Sequence, residues 1–384
     1  MTRRTPTLTL PLALAACAIH VPPATATTAT DRPQTSATIV VQDFPKAVRP
    51  NTDLPRQPEK RPVAPDNVVN PAIPREQREA NFIQYTAETY GVDPLYIRAI
   101  LSQAKPQPRI VAAISRPAEA VRQWKDYRPI FINDARINGG IAFYRENRAA
   151  LEKVAAETGV PAEYIVAIIG VETQYGRNMG SYRVLDALYT LAFDYPRRAP
   201  FFAGELAQLF ALQKAEPHLD ITAIKGSYAG AMGMGQFMPS SYRLWAKDGN
   251  ADGQRNILTE KSDVFASIAN YFIVHGWLRS GPVAARADKN PDMPEWQPEN
   301  IEPVFTMGEL RERGYRPAPG ERWHHNGSWH HEGATVLNFE GSQGREHWLV
   351  YSNFYVISRY NHSPMYTMAV YQLAQAIRAG VERQ

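Results

Sequence analysis

Cysteine is almost missing: Cys17 is the only one in 384 residues. No intramolecular disulfide can form, and no paired-cysteine metal motif exists. Long apolar runs are missing as well, since no stretch reaches the roughly 18–20 residues that cross a bilayer as a helix. Charge of one sign is scarce: 42 Lys and Arg face 38 Asp and Glu, a formal net charge of +4. Removing Arg3 and Arg4 with a cleaved leader lowers this to +2, which indicates no nucleic-acid footprint and allows a weak attraction to an anionic polymer. The glycine-rich stretch around Gly230, Gly233 and Gly235 is followed by no lysine, so it is not a phosphate loop. Its spacing is not that of a dinucleotide fingerprint either.

What is present begins with a leader. "MTRRTPTLTLPLALAAC" carries Arg3 and Arg4, a short apolar region and small residues before Cys17, the order of a secretory signal. Leu14-Ala15-Ala16-Cys17 resembles a bacterial lipobox, whose cysteine is acylated and becomes the first mature residue. Residues 1–16 are expected to be a lipoprotein signal peptide and Cys17 the lipidation site. Two or more acyl chains would anchor the chain stably, and one only weakly. Ala18 lacks the acidic side chain that favours inner-membrane retention, so the expected place is the periplasmic face of the outer membrane.

Residues 17–75 are rich in Pro, Thr, Ala and Asn without helical or strand period, and read as a tether spanning roughly 40–50 Å as a flexible coil. Order is expected from about Gln77. With 44% hydrophobic and 21% charged residues, the rest is globular. "NFIQYTAETYGVDPLYIRAILSQA" (81–104) reads as two helices joined at Gly91, with Asp93 as N-cap and Pro94 in the first turn. Apolar spacing predicts further helices near 137–158, 161–175, 183–193, 201–214, 239–247, 263–275 and 364–379. From about 281 to 356 the character changes: Asn326-Gly327 is a hairpin signal, and "ATVLNFEG" and "EHWLVYSNFYVI" read as strands. The expected class is mainly α (α+β). The catalytic region, 76–384, divides into a helical flank (76–135), a core (136–280), a β-rich insertion (281–356) and a C-terminal segment with a helix (357–384).

One acid stands out. After Pro161, residues Ile165, Ile168, Ile169 and Glu172 fall on one helix face, so Glu172 shares the core-facing side with three isoleucines. It also lies in the last turn, at the negative end of the helix dipole. Burial and dipole both disfavour its ionised form and predict a raised pKa, the property of a general acid. Further on, "GSYAGAMGMGQFMPSSY" (226–242) sets small residues beside Ser227, Gln236 and Phe237, so that backbone can approach a ligand closely while polar groups bind it.

Together "AIIGVETQYGRNMG", "DYPRRAPFF", "GSYAGAMGMGQFMPSSY", "ANYFIVHGW" and "NFYVISRYNHSPMY" resemble the B family of bacterial lytic murein transglycosylases, from about residue 77 to the C-terminus. The resemblance implies a lysozyme-like core with a flanking helical domain and a small β domain, and cleavage of peptidoglycan without a catalytic cofactor. It implies that Glu172 is the catalytic acid, that Ser227 and Gln236 line the cleft beside it, and that Tyr127, Arg197, Arg198, Phe237, Tyr271, Tyr360, Asn361 and Tyr366 bind glycan. It further implies a substrate-assisted route to a 1,6-anhydro sugar in which one carboxyl serves as acid and base. Asp186 and Asp194 lie near in sequence, but neither has an apolar setting that marks a second catalytic carboxylate. A water-using muramidase on the same fold, or a silent peptidoglycan-binding protein, would share these motifs. The expected partners are glycan strands and, through the lipid, the outer membrane; no nucleic acid is expected, and no motif designates the cell-wall synthesis machinery.

"DGNADGQRNILTEKSD" (248–263) begins like an EF-hand loop, with Asp248, Asn250, Asp252, Gly253 and Gln254 in place. The twelfth position holds Thr259 instead of Glu, leaving Glu260 or Asp263 to close the loop. The resemblance includes a calcium loop here, so structural Ca2+ is expected at Asp248, Asn250, Asp252, Gln254 and Asp263. His324, His325, His330 and His331 read as part of an exposed aromatic hairpin rather than a zinc site, because adjacent strand residues point to opposite faces.

Overall fold

A computed structural model describes residues 63–115, 122–321 and 333–383. Cys17, the Asn326-Gly327 turn and the four hairpin histidines lie outside the described residues.

Four helices open the described chain: Asp66–Val69, Arg75–Tyr90, Pro94–Leu101 and Pro108–Ile114. Folded structure therefore starts earlier than the expected boundary at Gln77. Ala64, Val68 and Val69 are buried, and Ala64 N donates to Pro200 O at 2.9 Å. The turn at Gly91 is as predicted: Gly91 takes a left-handed φ of 62°, and Asp93 accepts from Leu95 N to start the next helix. Phe82 of the second helix packs on Phe193 and Phe210, which fixes this flank to helices Val184–Asp194 and Ala199–Ala215.

The expected helix over 137–158 is two, Asp134–Glu146 and Arg148–Thr158, broken at Asn147. Asn147 Nδ2 returns to Phe143 O at 2.7 Å, a side-chain bond that ends the first helix. Helices Ala162–Thr173, Val184–Asp194, Ala199–Ala215, Pro239–Trp245, Lys261–Val274 and Pro364–Glu382 match the expected ones within a few residues. Trp124–Phe131 was not expected; Pro129 inside it obscures the helical signal. The C-terminal helix buries Tyr366, Val370, Leu373 and Ile377, a stripe at helical spacing, against Ala162–Thr173 and Asp134–Glu146. Among the described residues, no single helix is long and apolar enough to cross a bilayer.

A two-residue ribbon pairs β1 (Tyr182–Arg183) with β2 (Lys225–Gly226). A separate antiparallel sheet has the order β4-β3-β6-β5, from β3 (Ala284–Lys289), β4 (Tyr315–Pro317), β5 (Ala334–Gly341) and β6 (Gly344–Tyr351). The strand expected through Ile357 stops at Tyr351; Ser352–Ser358 is helical. Asn353 explains the departure: its side chain accepts from Leu278 N and donates to Leu278 O and Gly281 O, drawing the chain off the sheet. Phe339 of β5 packs on Trp124 at 5.2 Å, joining the sheet to the helical body beside Tyr127.

Candidate active site

The helix Ala162–Thr173 is buried on every side, more deeply than the single apolar face the spacing predicted. From Ala162 to Thr173, Glu172 is the one residue that is not buried. Ile165, Ile168 and Ile169 are fully covered beneath it. The helix ends abruptly: Gln174 and Tyr175 take left-handed φ of 52° and 63°, followed by Gly176 at 82°. Tyr175 N reaches back to Ile169 O at 3.2 Å, so the last turn closes tightly behind Glu172. Consecutive left-handed non-glycine residues are uncommon and concentrate at functional sites.

Tyr366 approaches Glu172 from the first turn of the C-terminal helix, and its hydroxyl donates to Oε1 at 2.5 Å. Asn361 and Ser363 place that turn: Asn361 Oδ1 accepts from Ser363 N, and the Ser363 hydroxyl caps Tyr366 N. Burial, with the neighbouring charge of Glu172, holds the Tyr366 and Tyr360 hydroxyls well above the usual tyrosine pKa. Tyr127 lies near enough to Tyr366 to add to this effect.

The glycine-rich loop is fastened to the end of the Glu172 helix. Thr173 Oγ1 donates to Met234 O at 2.9 Å and accepts from Gly176 N. Gln236, at a φ of 52°, donates Nε2 to Met179 O and Gly233 O. Ser227 Oγ accepts from Ala229 N and Ala231 N, shaping the turn. A Cβ on Gly180 would lie 2.0 Å from Gly226 O, so glycine here allows backbone to approach backbone.

The structure brings Glu172, Tyr127, Gln236, Phe237, Tyr360 and Tyr366 into one neighbourhood, but not all as open surfaces. Phe237 is buried, with its ring 5.9 Å from those of both Tyr271 and Tyr360. Tyr271 stacks on His275 and donates to Arg359 O, and Tyr360 donates to Gly235 O at 2.7 Å. The resemblance assigned these aromatics to glycan; here Phe237 and Tyr271 form a packed wall supporting the loop. Arg197 is exposed, and Arg198 lies 4.6 Å over Phe201. Both sit on the turn Pro196–Arg198 ahead of helix Ala199–Ala215. Sequence reading missed Tyr175, Arg136 and Thr173; the small residues at Gly139, Gly140 and Gly170 were the available signal.

The two aspartates that follow Glu172 most closely in the chain are occupied elsewhere. Asp186 accepts from Lys105 N and pairs with Arg183, and Asp194 pairs with Arg75. Asp194 also borders a depression of about 460 Å³ along Pro108, Val111, Ala112 and Ser115, and it is the one acid among the described residues of that lining.

In the 248–263 loop, Asp248 accepts from Asp252 N and Gly253 N, and Asp252 from Gln254 N. Asp263 is buried and ties the two ends together by accepting from Gly249 N and Asn256 N. Burial is the main cause that raises its pKa, with the charges of Asp248 and Asp252 adding to it. Glu260 is spent on capping Ser262 N. Among the described residues, no three His, Cys, Asp or Glu side chains are arranged to hold a metal. Side-chain oxygens of Asp248, Asn250 and Asp252 with the Gln254 carbonyl nevertheless make a hard oxygen donor set suited to calcium.

Residues 75–375 match the family described as Transglycosylase SLT domain. Membrane-bound lytic murein transglycosylase B of Escherichia coli is 38% identical over 306 residues, covering 77% of this chain and 81% of that protein. The crystal structure of soluble lytic transglycosylase SltB1 from Pseudomonas aeruginosa superposes with a TM-score of 0.71 at 44% identity, over 79% of this chain and 99% of that one. The structure of Escherichia coli lytic transglycosylase Slt35 in complex with calcium gives a TM-score of 0.69 at 37% identity, over 79% and 93%.

Proposed function

The chain belongs to the transglycosylase SLT family and is a peptidoglycan lytic transglycosylase, and on that premise we propose that one carboxyl group, Glu172, serves its reaction as both acid and base. The observation that carries this reading is the position of Glu172: the one residue of helix Ala162–Thr173 that is not buried, bonded to Tyr366, while Asp186 and Asp194 are held by arginines.

Glycosidases commonly use two carboxylates, and one suffices where the substrate supplies the second group. Glu172 donates its proton to the oxygen between N-acetylmuramic acid and N-acetylglucosamine, and the bond from that oxygen to the anomeric carbon breaks. The muramoyl N-acetyl oxygen stabilises the electron-poor carbon as an oxazolinium. The Glu172 carboxylate then takes the proton of the sugar's own 6-hydroxyl as that oxygen attacks the anomeric carbon. A 1,6-anhydro end results, Glu172 regains its proton, and no water is consumed. Intramolecular attack gains from high effective molarity. Tyr366 holds one carboxylate oxygen throughout, because its own proton is retained well above neutral pH.

Glycan binding falls to the groups around this centre. Gln236, Ser227, Tyr127, Tyr360 and Asn361 shape the site, and Arg197 and Arg198 offer positive charge to the polymer's carboxylates. Phe237 and Tyr271 act from behind, by packing. The calcium loop is structural: Asp248, Asn250, Asp252 and the Gln254 carbonyl would hold the ion, with Asp263 fixing the loop ends. The protein is membrane-associated, and acylated Cys17 tethers it to the periplasmic face of the outer membrane.

Digestion of purified sacculi tests the reading. Muropeptides one water lighter than hydrolysis products support it, and reducing-end sugars would show a hydrolytic muramidase instead.

A further inference from the structure

The end of the Glu172 helix is locked by a device that the reaction itself does not use. Tyr175, three residues past Glu172, has a left-handed φ of 63° and turns its ring back over the helix. Its seat is made of three glycines on two helices. A Cβ on Gly140 or Gly170 would lie 2.6 or 2.7 Å from the Tyr175 hydroxyl, and one on Gly139 would lie 3.0 Å from its ring. A side chain at 140 or 170 would push the hydroxyl end of the ring out of that seat.

The contact is reciprocal. Tyr175 donates its hydroxyl to Arg136 O at 2.7 Å, and Arg136 Nη1 donates to Gly170 O, the carbonyl two residues before Glu172. Gly170 O also receives Gln174 N, so the last turn is gripped from both sides. Arg136 lies over Phe131, and Phe143 lies 5.6 Å from Tyr175, which anchors the lock in helix Asp134–Glu146 and the segment before it. On the opposite side Thr173 fastens the same turn to the glycine loop. Glu172 thus sits between two fixed points.

We propose that Tyr175 and Arg136 are positioning residues for Glu172, holding its carboxyl in register with Tyr366 and with the glycosidic oxygen. The inference rests on Glu172 being the acid. Strain in the left-handed turn is maintained because the hydroxyl and guanidinium bonds oppose its relaxation. Releasing them lets the last turn unwind or rotate, and displacements on the order of 1 Å are enough to slow catalysis severely.

The test uses the full mature protein on purified glycan strands, with folding followed by circular dichroism. Tyr175→Phe keeps the ring in its seat and removes only the bond to Arg136 O. It is expected to lower kcat roughly ten- to a hundredfold, with KM and thermal midpoint held. Arg136→Met should act likewise, and Arg136→Lys should restore part of the loss. Wild-type kcat in both Tyr175→Phe and Arg136→Met would overturn the proposal, as would losses that merely follow the unfolded fraction. Glu172→Gln in the same assay separates the two ideas. If it is inactive while Tyr175→Phe is normal, only the positioning role fails; if it remains active, the acid assignment fails first.

Discussion

Tyr366 and Glu172 stand 194 positions apart in sequence, yet the tyrosine hydroxyl donates to Glu172 Oε1 at 2.5 Å. A hydrogen bond to an ionised carboxylate favours the charged form. Such a bond contributes about 1.5–3 kcal/mol. Glu172 becomes a carboxylate when it gives up its proton, so Tyr366→Phe, which removes the donor, is predicted to slow anhydro-product formation about tenfold. Initial rates of product release by folded variant and wild-type protein check this, and an unchanged rate contradicts it.

Glu205 makes the second prediction, one of stability. It is 1% exposed, and its carboxylate accepts both Ser240 N and Ser240 Oγ at the start of helix Pro239–Trp245. Glu205→Ala leaves those donors buried without this acceptor and is predicted to cost about 2–4 kcal/mol in urea unfolding. Cleavage per folded molecule should stay at the wild-type value. An unchanged midpoint would show that the bonds contribute no net stability.

The loop 248–263 gives a third. The folded-state pKa of Asp263 is raised, chiefly by burial. Folding therefore favours its protonated form. Without metal, its contribution is present at pH below the ordinary carboxylate value and is lost as pH rises through the raised one. A bound cation reverses this by stabilising the charged loop. Millimolar calcium is predicted to raise stability by about 1–3 kcal/mol at neutral pH. A chelator should remove the gain, and Asp252→Ala should abolish it. Calorimetry with and without calcium decides, and a midpoint indifferent to calcium contradicts the assignment.

A fourth concerns attachment. Cys17→Ala is predicted to stop incorporation of labelled fatty acid and to release the exported protein from the membrane fraction. Labelling that persists in the variant would contradict lipidation at Cys17.

Much of the helical fold could be read in advance because periodic apolar spacing, Gly91, Asp93 and Pro94 are local signals that packing left intact. Glu172 stands out in the sequence for a related reason: an acid among isoleucines violates its own neighbourhood. The failures are tertiary. Asn353 turns a strand-like apolar run into a helix through bonds to residues about 75 positions away. Phe237 and Tyr271 looked like binding aromatics, and only the three-dimensional packing shows them behind the loop. The Tyr366–Glu172 bond and the seat of Tyr175 join distant segments, so no spacing rule points to them.

The central claim is that Glu172 alone moves the proton both ways. Its most direct test is mass analysis of sacculus digests by wild-type and Glu172→Gln proteins of matched stability. General acid–base catalysis contributes about 10²–10⁴-fold, so the variant is predicted to lose anhydro-muropeptide formation by at least that lower factor while still binding sacculi. Anhydro products released by the variant at the wild-type rate would contradict the account.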